Sequence, residues 1–316
     1  MLEKSMESST KSMESSTSYV LAVDIGNSQT VLAVYPGPRS SAHGSSRSEE
    51  EGRAASLEHS RPPSEGQPIV SWRIATSSSR TVDETVALLH SLFSLRHLDP
   101  ARVRAVAIGS VVPPVEPAFA AACRELFTEA SAPLMVRAEH VLRAGVRIDY
   151  PHPNEIGIDR LLNSVAVLHR FGAPAVVVDF GTAITFDVVA GKGREGAFVG
   201  GVIAPGLVSG VEALFHKTAR LPKVELSAPP GPIGRSTVEA IQAGIVLGAA
   251  AQVEGIVARI ARALGLNHAA RLRVIATGGL ASLVAAHTGV IDTVEPFLTL
   301  EGLYLVHLVN QATGGQ

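Results

Sequence analysis

The sequence predicts an α/β fold made of two related domains. Two stretches half a sequence apart follow one plan, LAVDIGNSQTVLAVY at Leu21 to Tyr35 and VVVDFGTAITFDVVA at Val176 to Ala190. Each has an apolar β-branched run, an aspartate, a glycine-bearing turn with a hydroxyl residue, and a second apolar run, which is the pattern of strand, turn and strand. The length of 316 residues suffices for two domains of roughly 150 residues. We therefore place the domains at 19–150 and 151–316.

Strand and helix signals alternate through the first domain. After the first strand pair, IVSWRIAT predicts a strand at Ile69 to Thr76. The segment from Arg80 to Phe93 has apolar residues on one helical face, and Thr81 followed by Glu84 predicts a capping box at its start. A further strand is predicted at Val103 to Val112, where two prolines follow.

The second domain repeats this alternation. A helix is predicted from about Leu161 to Phe171, with strands near Ala197 to Ala204 and at Arg271 to Gly279 after the second strand pair. The segment Thr237 to Leu264 is helical by its pattern and rich in Ala and Gly. Gly244 and Gly248 lie four residues apart in it. Gln252 and Glu254 interrupt its apolar stretch, which is then too short to span a bilayer, so we expect close helix packing rather than a membrane span.

Two polar segments lie outside these elements. KSMESST occurs twice in succession within residues 4–17. Polar repeats without apolar periodicity cannot offset the entropy of ordering, and no apolar stretch of a signal peptide is present, so we predict a disordered tail at 1–18. A second polar stretch at 36–68 predicts a mobile loop insertion. Its mixed charges favour a solvated loop over a partner site.

Composition limits the class of partner. The chain is 46% hydrophobic and has a net charge of −2 without a sustained basic block. A nucleic-acid surface needs clustered Lys and Arg, so we expect a small-molecule substrate, with no nucleic-acid and no membrane partner. The single cysteine, Cys123, excludes an internal disulfide and fits a reducing compartment such as the cytoplasm. Its apolar surroundings favour a buried structural thiol over a reactive one.

Two turns carry the first signal for chemistry. DIGNS at Asp24 to Ser28 and DFGTA at Asp179 to Ala183 each place a carboxylate where an apolar strand reverses. Either alone could be only a hairpin turn. Their joint occurrence favours a phosphate site, because such turns direct backbone N–H groups and a hydroxyl toward phosphate oxygens while the aspartate can hold a metal ion. TGG at Thr277 to Gly279 permits close backbone approach to a ligand, though a strand-to-helix turn would also use it.

A second signal lies in EIGIDRLLNSVAV, from Glu155 to Val167. Gly157 precedes Asp159 and Arg160 at the start of a helix, so a carboxylate and a guanidinium lie side by side where a substrate could meet both. The alternative is an ordinary helix acid beside a surface arginine. Its position between the two turns favours a functional role, and Asp159 is the carboxylate best placed to accept a proton from a substrate hydroxyl.

The chain resembles the type III pantothenate kinases, members of the acetate and sugar kinase, Hsc70 and actin superfamily. The resemblance runs from about Val20 to Leu308 and rests on six motifs in order and spacing: DIGNS, PNEIGIDR, DFGTAITFD, GGVIAPG, IGRSTVEAIQAG and TGG. It implies an α/β fold of two ribonuclease-H-like (actin-like ATPase) domains with the active site in the cleft between them. It also implies ATP-dependent phosphorylation of pantothenate on its terminal hydroxyl, the first step of coenzyme A synthesis.

The resemblance implies roles for particular residues. Those that would bind ATP are Asp24, Ile25, Gly26, Asn27, Ser28, Gln29, Thr30, Val31 and Thr182. Those that would bind pantothenate are Tyr150, Gly157, Ile158, Asp159, Arg160 and Thr237, with Asp159 as the catalytic general base. Asp24 would bind Mg²⁺, and Asp179 would bind the monovalent cation, K⁺ or NH₄⁺, that the family requires. Family members are typically homodimers whose partner subunit helps to close the substrate site.

Two alternatives to this enzyme follow from the same superfamily. One is a non-catalytic regulatory relative, because fold alone does not determine function. The joint presence of Asp24, Asp159, Arg160 and Asp179 favours the enzyme, since a purely structural descendant has no physical need for all four. The other is a sugar or acetate kinase, which fits the two turns but not the GIDR segment.

Overall fold

The protein divides into two compact units. The structure is a computed structural model that describes residues 18–38, 67–217, 221–266 and 272–313, so the predicted tail up to residue 17 and the insertion at 39–66 lie outside the described residues. Unit 1 comprises Met1–His140, Gly157–Asp159 and Leu303–Gln316. Unit 2 comprises Val141–Ile156 and Arg160–Gly302.

Unit 1 has a five-stranded sheet. Its strands are β1 (Tyr19–Ile25), β2 (Gln29–Pro36), β3 (Val70–Ala75), β4 (Val103–Ser110) and β5 (Leu134–Met135). They lie in the order β3-β2-β1-β4-β5, in which β1, β2 and β3 are antiparallel while β4 and β5 run parallel to β1. These strands confirm the predicted first strand pair and the predicted strands near Ile69 and Val103.

Two helices contribute apolar residues such as Leu89 and Phe119 to the core of this sheet. They are α1 (Val82–Leu95) and α2 (Glu116–Leu126), with 3-10 turns at Pro100–Arg102 and Pro113–Val115. A short helix, α3 (Ala138–Arg143), follows β5. The predicted capping box starts α1, because the Glu84 N–H donates to the Thr81 hydroxyl while the Thr81 N–H donates to the Glu84 carboxylate at 2.8 Å. On α2, Cys123 is 1% exposed and burial raises the pKa of its thiol to about 12. The prediction of a structural thiol is confirmed.

Unit 2 has a six-stranded sheet. Its strands are β6 (Val146–Ile148), β7 (Ala173–Phe180), β8 (Ala183–Gly193), β9 (Glu195–Pro205), β10 (Arg273–Thr277) and β11 (Thr293–Val294). They lie in the order β11-β10-β7-β8-β9-β6. The remaining helices are α4 (Ile158–Arg170), α5 (Leu207–Lys217), α6 (Thr237–Ala263), α7 (Ala281–Ala285) and α8 (Leu298–Thr313), with a 3-10 turn at Pro153–Glu155. Helix α4 begins three residues before the predicted start at Leu161.

The two sheets share one topology. In unit 2, β7, β8 and β9 are antiparallel, and β10 and β11 run parallel to β7. The order β9-β8-β7-β10-β11 therefore repeats β3-β2-β1-β4-β5 strand for strand and direction for direction, with β6 added beside β9. This is the strand order of the ribonuclease-H-like fold. The structure confirms the predicted α/β fold of two related units.

The units differ from the predicted 19–150 and 151–316 domains in three places, of which one is the short segment Gly157–Asp159 in unit 1. Strand β6, which precedes residue 150, pairs with β9 and belongs to unit 2. The last part of α8 belongs to unit 1, where the Tyr304 ring stacks on the Tyr35 ring at 4.5 Å and its hydroxyl donates to the Pro36 carbonyl at 2.9 Å. The pairing of β6 with β9 and the contacts of Tyr304 join residues far apart in the sequence, so no local sequence pattern predicts them.

Helix α6 is 27 residues long. Its length and composition alone would suffice to cross a membrane. Its buried face, which includes Val253 and Val257, nevertheless lies in the core of unit 2, and a buried core helix has the same composition. The helix packs within the protein as expected, but Gly244 and Gly248 are not points of close approach, because a Cβ atom at either position would have no described neighbour within 4 Å.

Helix α8 carries a buried histidine. His307 is 3% exposed, and neither ring nitrogen has a hydrogen-bond partner among the described residues. Burial lowers the pKa of His307 to about 4, below its ordinary value of 6.5. The unfolded chain therefore binds a proton at a higher pH than the folded chain does. The contribution of His307 to the free energy of unfolding should therefore fall as the pH drops from 6.5 towards 4.

The substitution His307→Leu should raise the free energy of unfolding by about 1 kcal/mol at pH 7.5, because an apolar side chain replaces two buried polar atoms without partners. The gain should grow as the pH falls to 5. Urea unfolding of both proteins at pH 7.5, 6 and 5 measures it. The opposite pH dependence of Glu301, whose pKa burial raises to about 7, is common to both proteins and cancels in the difference. A difference that stays constant with pH would contradict the assignment.

Candidate active site

The first turn joins β1 to β2 through residues 26–28. Asp24 is the penultimate residue of β1 and is half-buried, and the two residues that follow Gly26 are exposed. The Gly26 N–H donates to the Gln29 carbonyl at 3.0 Å and closes the turn. The structure thus brings the predicted ATP-binding residues 24–31 together at one end of a hairpin.

Thr76, which follows β3, anchors this turn. Its hydroxyl donates to the Gly26 carbonyl at 2.7 Å, and its N–H donates to the Ser28 carbonyl at 3.1 Å. The hydroxyls of Thr76 and Thr30 are 2.9 Å apart, and since the Thr76 proton is directed to Gly26, Thr30 is the donor of the pair. Thr30 is 1% exposed. A buried hydroxyl chain therefore fixes the carbonyl at the start of the turn.

The second turn joins β7 to β8 through Gly181 and Thr182, both exposed. Asp179 is the penultimate residue of β7, as Asp24 is of β1. The Gly181 N–H donates to the Ala183 carbonyl at 3.1 Å, and Ser209 on α5 donates its hydroxyl hydrogen to the Thr182 carbonyl at 3.2 Å. The equivalence of the two aspartates and of the two glycines is confirmed, although the second turn is one residue shorter.

The TGG motif lies against Asp179. Gly278 has a φ of +92°, and a Cβ atom there would be 2.5 Å from Asp179 Oδ1 and 2.7 Å from the Phe180 N. Thr277, on β10, pairs with Asp179 across the sheet and is 2% exposed. Only glycine fits this position. The motif therefore serves a close approach of the backbone to the Asp179 carboxylate.

Gly157 immediately precedes helix α4, which begins with Ile158 and Asp159, and all three residues belong to unit 1. A Cβ atom on Gly157 would collide with the Asp159 carboxylate and lie 3.5 Å from a Val111 methyl carbon. The Val111 N–H donates to the Ile25 carbonyl at 3.0 Å, one residue before the first turn. Within unit 1, the structure thus brings Asp159 to the edge of the sheet that carries the first turn.

Arg160 and Tyr150 meet on Phe198 in unit 2. The Arg160 guanidinium carbon is 5.3 Å from the centroid of the Phe198 ring, a cation–π distance. The Tyr150 ring meets the Phe198 ring edge to face at 6.0 Å. Arg160 Nε donates to Asp187 Oδ1 at 2.5 Å. The structure brings these two predicted pantothenate contacts together on one aromatic ring.

Thr237 is the first residue of α6 and is exposed. It lines an open, mainly apolar groove of about 530 Å³ in unit 2. Leu214, Ile241 and Ile245 also line this groove, and Tyr150 and Arg160 do not. Thr237 therefore faces this groove, whereas Tyr150 and Arg160 contact Phe198.

Sequence reasoning missed Thr76 and Asp187. Asp187 interrupts an apolar strand, ITFDVV, and a carboxylate in such a run signals a buried partner. Thr76 ends a predicted strand with an ordinary hydroxyl, which carries no local signal. Its role follows only from the pairing of β3 with β2.

Comparison with known proteins identifies the family. The family model described as type III pantothenate kinase matches residues 63–259. A type III pantothenate kinase of Roseiflexus sp. (strain RS-1) is 40% identical over 293 residues, which covers 93% of this chain and 100% of the relative. That of Myxococcus xanthus (strain DK1622) is 40% identical over 294 residues, with 93% and 100% covered. The chain belongs to the type III pantothenate kinase family.

Membership confirms the predicted family and the predicted kinase activity towards pantothenate, with ATP as the phosphate donor and a small molecule as the substrate. Nothing in the comparisons favours the non-catalytic alternative. A solved structure of a Baf family transcriptional activator from Campylobacter jejuni has a TM-score of 0.49 and 14% identity, and the match covers 93% of this chain and 99% of that one.

The substitution Thr76→Val should raise the KM for ATP roughly threefold to tenfold, because it removes the hydroxyl that holds the Gly26 carbonyl while keeping the side-chain shape. The matched variant Thr76→Ser keeps the hydroxyl and should stay close to the wild-type value. Steady-state kinetics with ATP and pantothenate varied separately measure the effect. Equal changes of both KM values, or none, would count against Thr76 as the anchor of the ATP turn.

Proposed function

We propose that the chain transfers the γ-phosphoryl group of ATP to the terminal hydroxyl of pantothenate, with Asp159 as the general base. The observation that carries this mechanism is the placement of Asp159 in unit 1, at the sheet edge of the first turn. Phosphoryl transfer to an alcohol requires that the phosphates be held, that the hydroxyl be positioned and that its proton be accepted. One unit supplies groups for the first and the last of these tasks.

Residues 24–31 bind the phosphates of ATP in this proposal. The turn is exposed, its start is fixed by Thr76, and a turn of this kind presents backbone N–H groups to an anion. Thr182 on the second turn is exposed and contributes a further hydroxyl. The exposed side chains of Asn27 and Ser28 offer polar contacts beside the backbone.

Asp24 holds Mg²⁺ in this proposal. The donor set fits, because Mg²⁺ prefers oxygen ligands and is usually bound by one or two carboxylates together with substrate phosphates. No cluster of three or more His, Cys, Asp or Glu residues occurs among the described residues, and such a phosphate-bound ion does not need one. When bound, Mg²⁺ neutralises charge on the transferred phosphoryl group. The part that the chain itself plays is to fix Asp24 one residue before the turn.

Asp179 holds a monovalent cation, K⁺ or NH₄⁺, in this proposal. Its support is the equivalence with Asp24 and the close approach of the Gly278 backbone to the Asp179 carboxylate. A carboxylate among backbone groups of a turn and a strand end suits a weakly hydrated cation that is bound mainly by oxygens. In this proposal, each of the two turns follows a strand with a penultimate aspartate, and the two aspartates bind different cations.

The pantothenate side comprises Tyr150, Gly157, Ile158, Arg160 and Thr237. Arg160 is the cation of this set, and its guanidinium matches the geometry of the pantothenate carboxylate. Gly157 leaves room beside Asp159, because any side chain there would collide with the carboxylate that accepts the proton. The exposed position of Thr237 at the start of α6 supports a contact with substrate.

The substitution Asp159→Asn should lower kcat by a factor on the order of 10² or more, because an amide cannot accept the hydroxyl proton. The KM for ATP and the melting temperature should stay close to those of the wild type. Pantothenate-dependent ADP release measures turnover. Asp83→Asn is a matched control, since Asp83 is also an acid in the first turn of a helix and is exposed. Near-normal turnover of Asp159→Asn would remove Asp159 from the role.

We also propose that the protein is a homodimer of the cytoplasm. Among its described residues, unit 2 exposes six large apolar side chains: Leu142 at 52%, Ile203 at 66%, Val208 at 49%, Phe215 at 40%, Ile233 at 83% and Val238 at 42%. Val208 and Phe215 are seven residues apart on α5 and therefore share one helix face. An exposed apolar helix face of this kind supports an interaction site. A second copy of the chain is the proposed occupant, which family resemblance supports.

The double substitution of Val208 and Phe215 by Asp should halve the mass of the assembly, because buried charges oppose association. Light scattering after size exclusion measures the mass. Leu95→Asp is the matched control on unit 1, since Leu95 is 75% exposed and not part of this surface. A wild-type protein with the mass of one chain, or a double variant that stays dimeric, would contradict the proposal.

A further inference from the structure

Unit 2 contains a carboxylate that is fully shielded from solvent. Asp187 lies on β8, which lies between β7 and β9, and is 0% exposed. It pairs with Val177 on one side and with Gly201 on the other. A buried carboxylate is costly unless it is paired and hydrogen-bonded, so the contacts of Asp187 matter for its role.

Both carboxylate oxygens of Asp187 have a defined partner. Oδ1 accepts from Arg160 Nε at 2.5 Å, and Oδ2 accepts from Asn163 Nδ2 in a long contact of 3.4 Å. The Asn163 side chain is in turn fixed from its other end, because its Oδ1 accepts from the Thr299 hydroxyl at 2.8 Å. A series of hydrogen bonds therefore sets the orientation of the Asp187 carboxylate and, through it, that of the guanidinium. It runs from Thr299 through Asn163 and Asp187 to Arg160.

The guanidinium of Arg160 is also confined from the side of β9. Its central carbon lies 5.3 Å from the centroid of the Phe198 ring. A Cβ atom at Gly201 would be 2.7 Å from Arg160 Nη2 and closer still to the Phe186 carbonyl. The GGVIAPG motif therefore supplies the space that this guanidinium needs.

The Arg160 pair differs from the other buried ion pair of unit 2. Arg170 contacts two carboxylates, those of Glu295 at 2.8 Å and of Glu301 at 3.0 Å. Arg160 contacts the Asp187 carboxylate through Nε, whereas Arg170 contacts Glu295 and Glu301 through its terminal amino groups. The Arg160 side chain is 13% exposed and that of Asp187 is 0% exposed. The arginine is the member of the pair that a ligand can reach.

We propose that Asp187 is a positioning residue for substrate recognition. It holds the Arg160 guanidinium by Nε and so sets the orientation in which the guanidinium meets the carboxylate of pantothenate. The inference rests on the proposed function, in which Arg160 contacts pantothenate. Asp187 does not touch the substrate; it acts through Arg160, with Asn163 and Gly201 as supports.

The test is selectivity for the substrate carboxylate. The substrates are pantothenate and pantothenol, in which a primary alcohol replaces that carboxylate. The wild type should prefer pantothenate. The substitution Asp187→Asn keeps the size of the side chain and removes the charge, and it should raise the KM for pantothenate roughly tenfold to hundredfold. The ratio of kcat/KM for pantothenate to that for pantothenol should fall by a similar factor, with the KM for ATP nearly unchanged.

A matched control separates positioning from stability. Glu295→Gln breaks another buried ion pair of the same unit and should lower the melting temperature without changing the selectivity ratio. If Asp187→Asn does not fold, Asp187→Glu keeps the charge but displaces it by one methylene, and it should lower the ratio in the same direction. In the double variant with Arg160→Gln, the effect of Asp187→Asn on the ratio should disappear, because the two residues act as one unit.

The outcomes distinguish the inference from the proposed function. A wild type that does not phosphorylate pantothenate would overturn both. A wild type that prefers pantothenate, together with an Asp187 variant of unchanged ratio, would overturn the positioning role alone. Equal use of both substrates by the wild type would overturn the contact of Arg160 with the carboxylate, and the inference with it.

Discussion

The structure of each unit depends on one constraint, the reversal of a buried strand one residue after an aspartate. In unit 1 the strand is β1 and the aspartate is Asp24; in unit 2 they are β7 and Asp179. Each strand pairs antiparallel with the next strand and parallel with a later one, so its end lies beside the ends of parallel strands. That edge is where polar groups can leave the sheet without burying unpaired backbone. The carboxylates, the glycine turns and the start of α4 are all found at such strand ends.

Residues behind these turns determine their shape. Thr76 holds the first turn through the Gly26 carbonyl, and Gly278 approaches Asp179 so closely that no side chain fits. Asp187 holds Arg160 in the same manner from inside the sheet. In each case, a residue without a proposed contact to substrate or cofactor fixes the position of a group that has one. Such support is expected of a site that must hold several groups in place at once.

Local patterns in the sequence predicted much of this. The apolar runs around Asp24 and Asp179 predicted both hairpins, and Thr81 with Glu84 predicted the start of α1, because these signals lie within a few residues of the feature. The return of α8 to unit 1 through Tyr304, the role of Thr76 and the partner of Asp187 could not be predicted, because each depends on contacts between residues far apart in the chain. Gly244 and Gly248 show the limit of a local signal, because their spacing is typical of close helix packing and yet a Cβ atom at either position would have no described neighbour within 4 Å.

The central claim is that the duplicated turns serve one phosphoryl transfer with two different cations. The most direct measurement is ADP release from ATP and Mg²⁺, with and without pantothenate, in buffers whose only monovalent cation is K⁺, NH₄⁺ or Na⁺. The account predicts turnover that requires pantothenate and that K⁺ or NH₄⁺ supports far better than Na⁺. Turnover that is the same in all three salts would contradict the role of Asp179, and a folded protein without turnover in any of them would contradict the account as a whole.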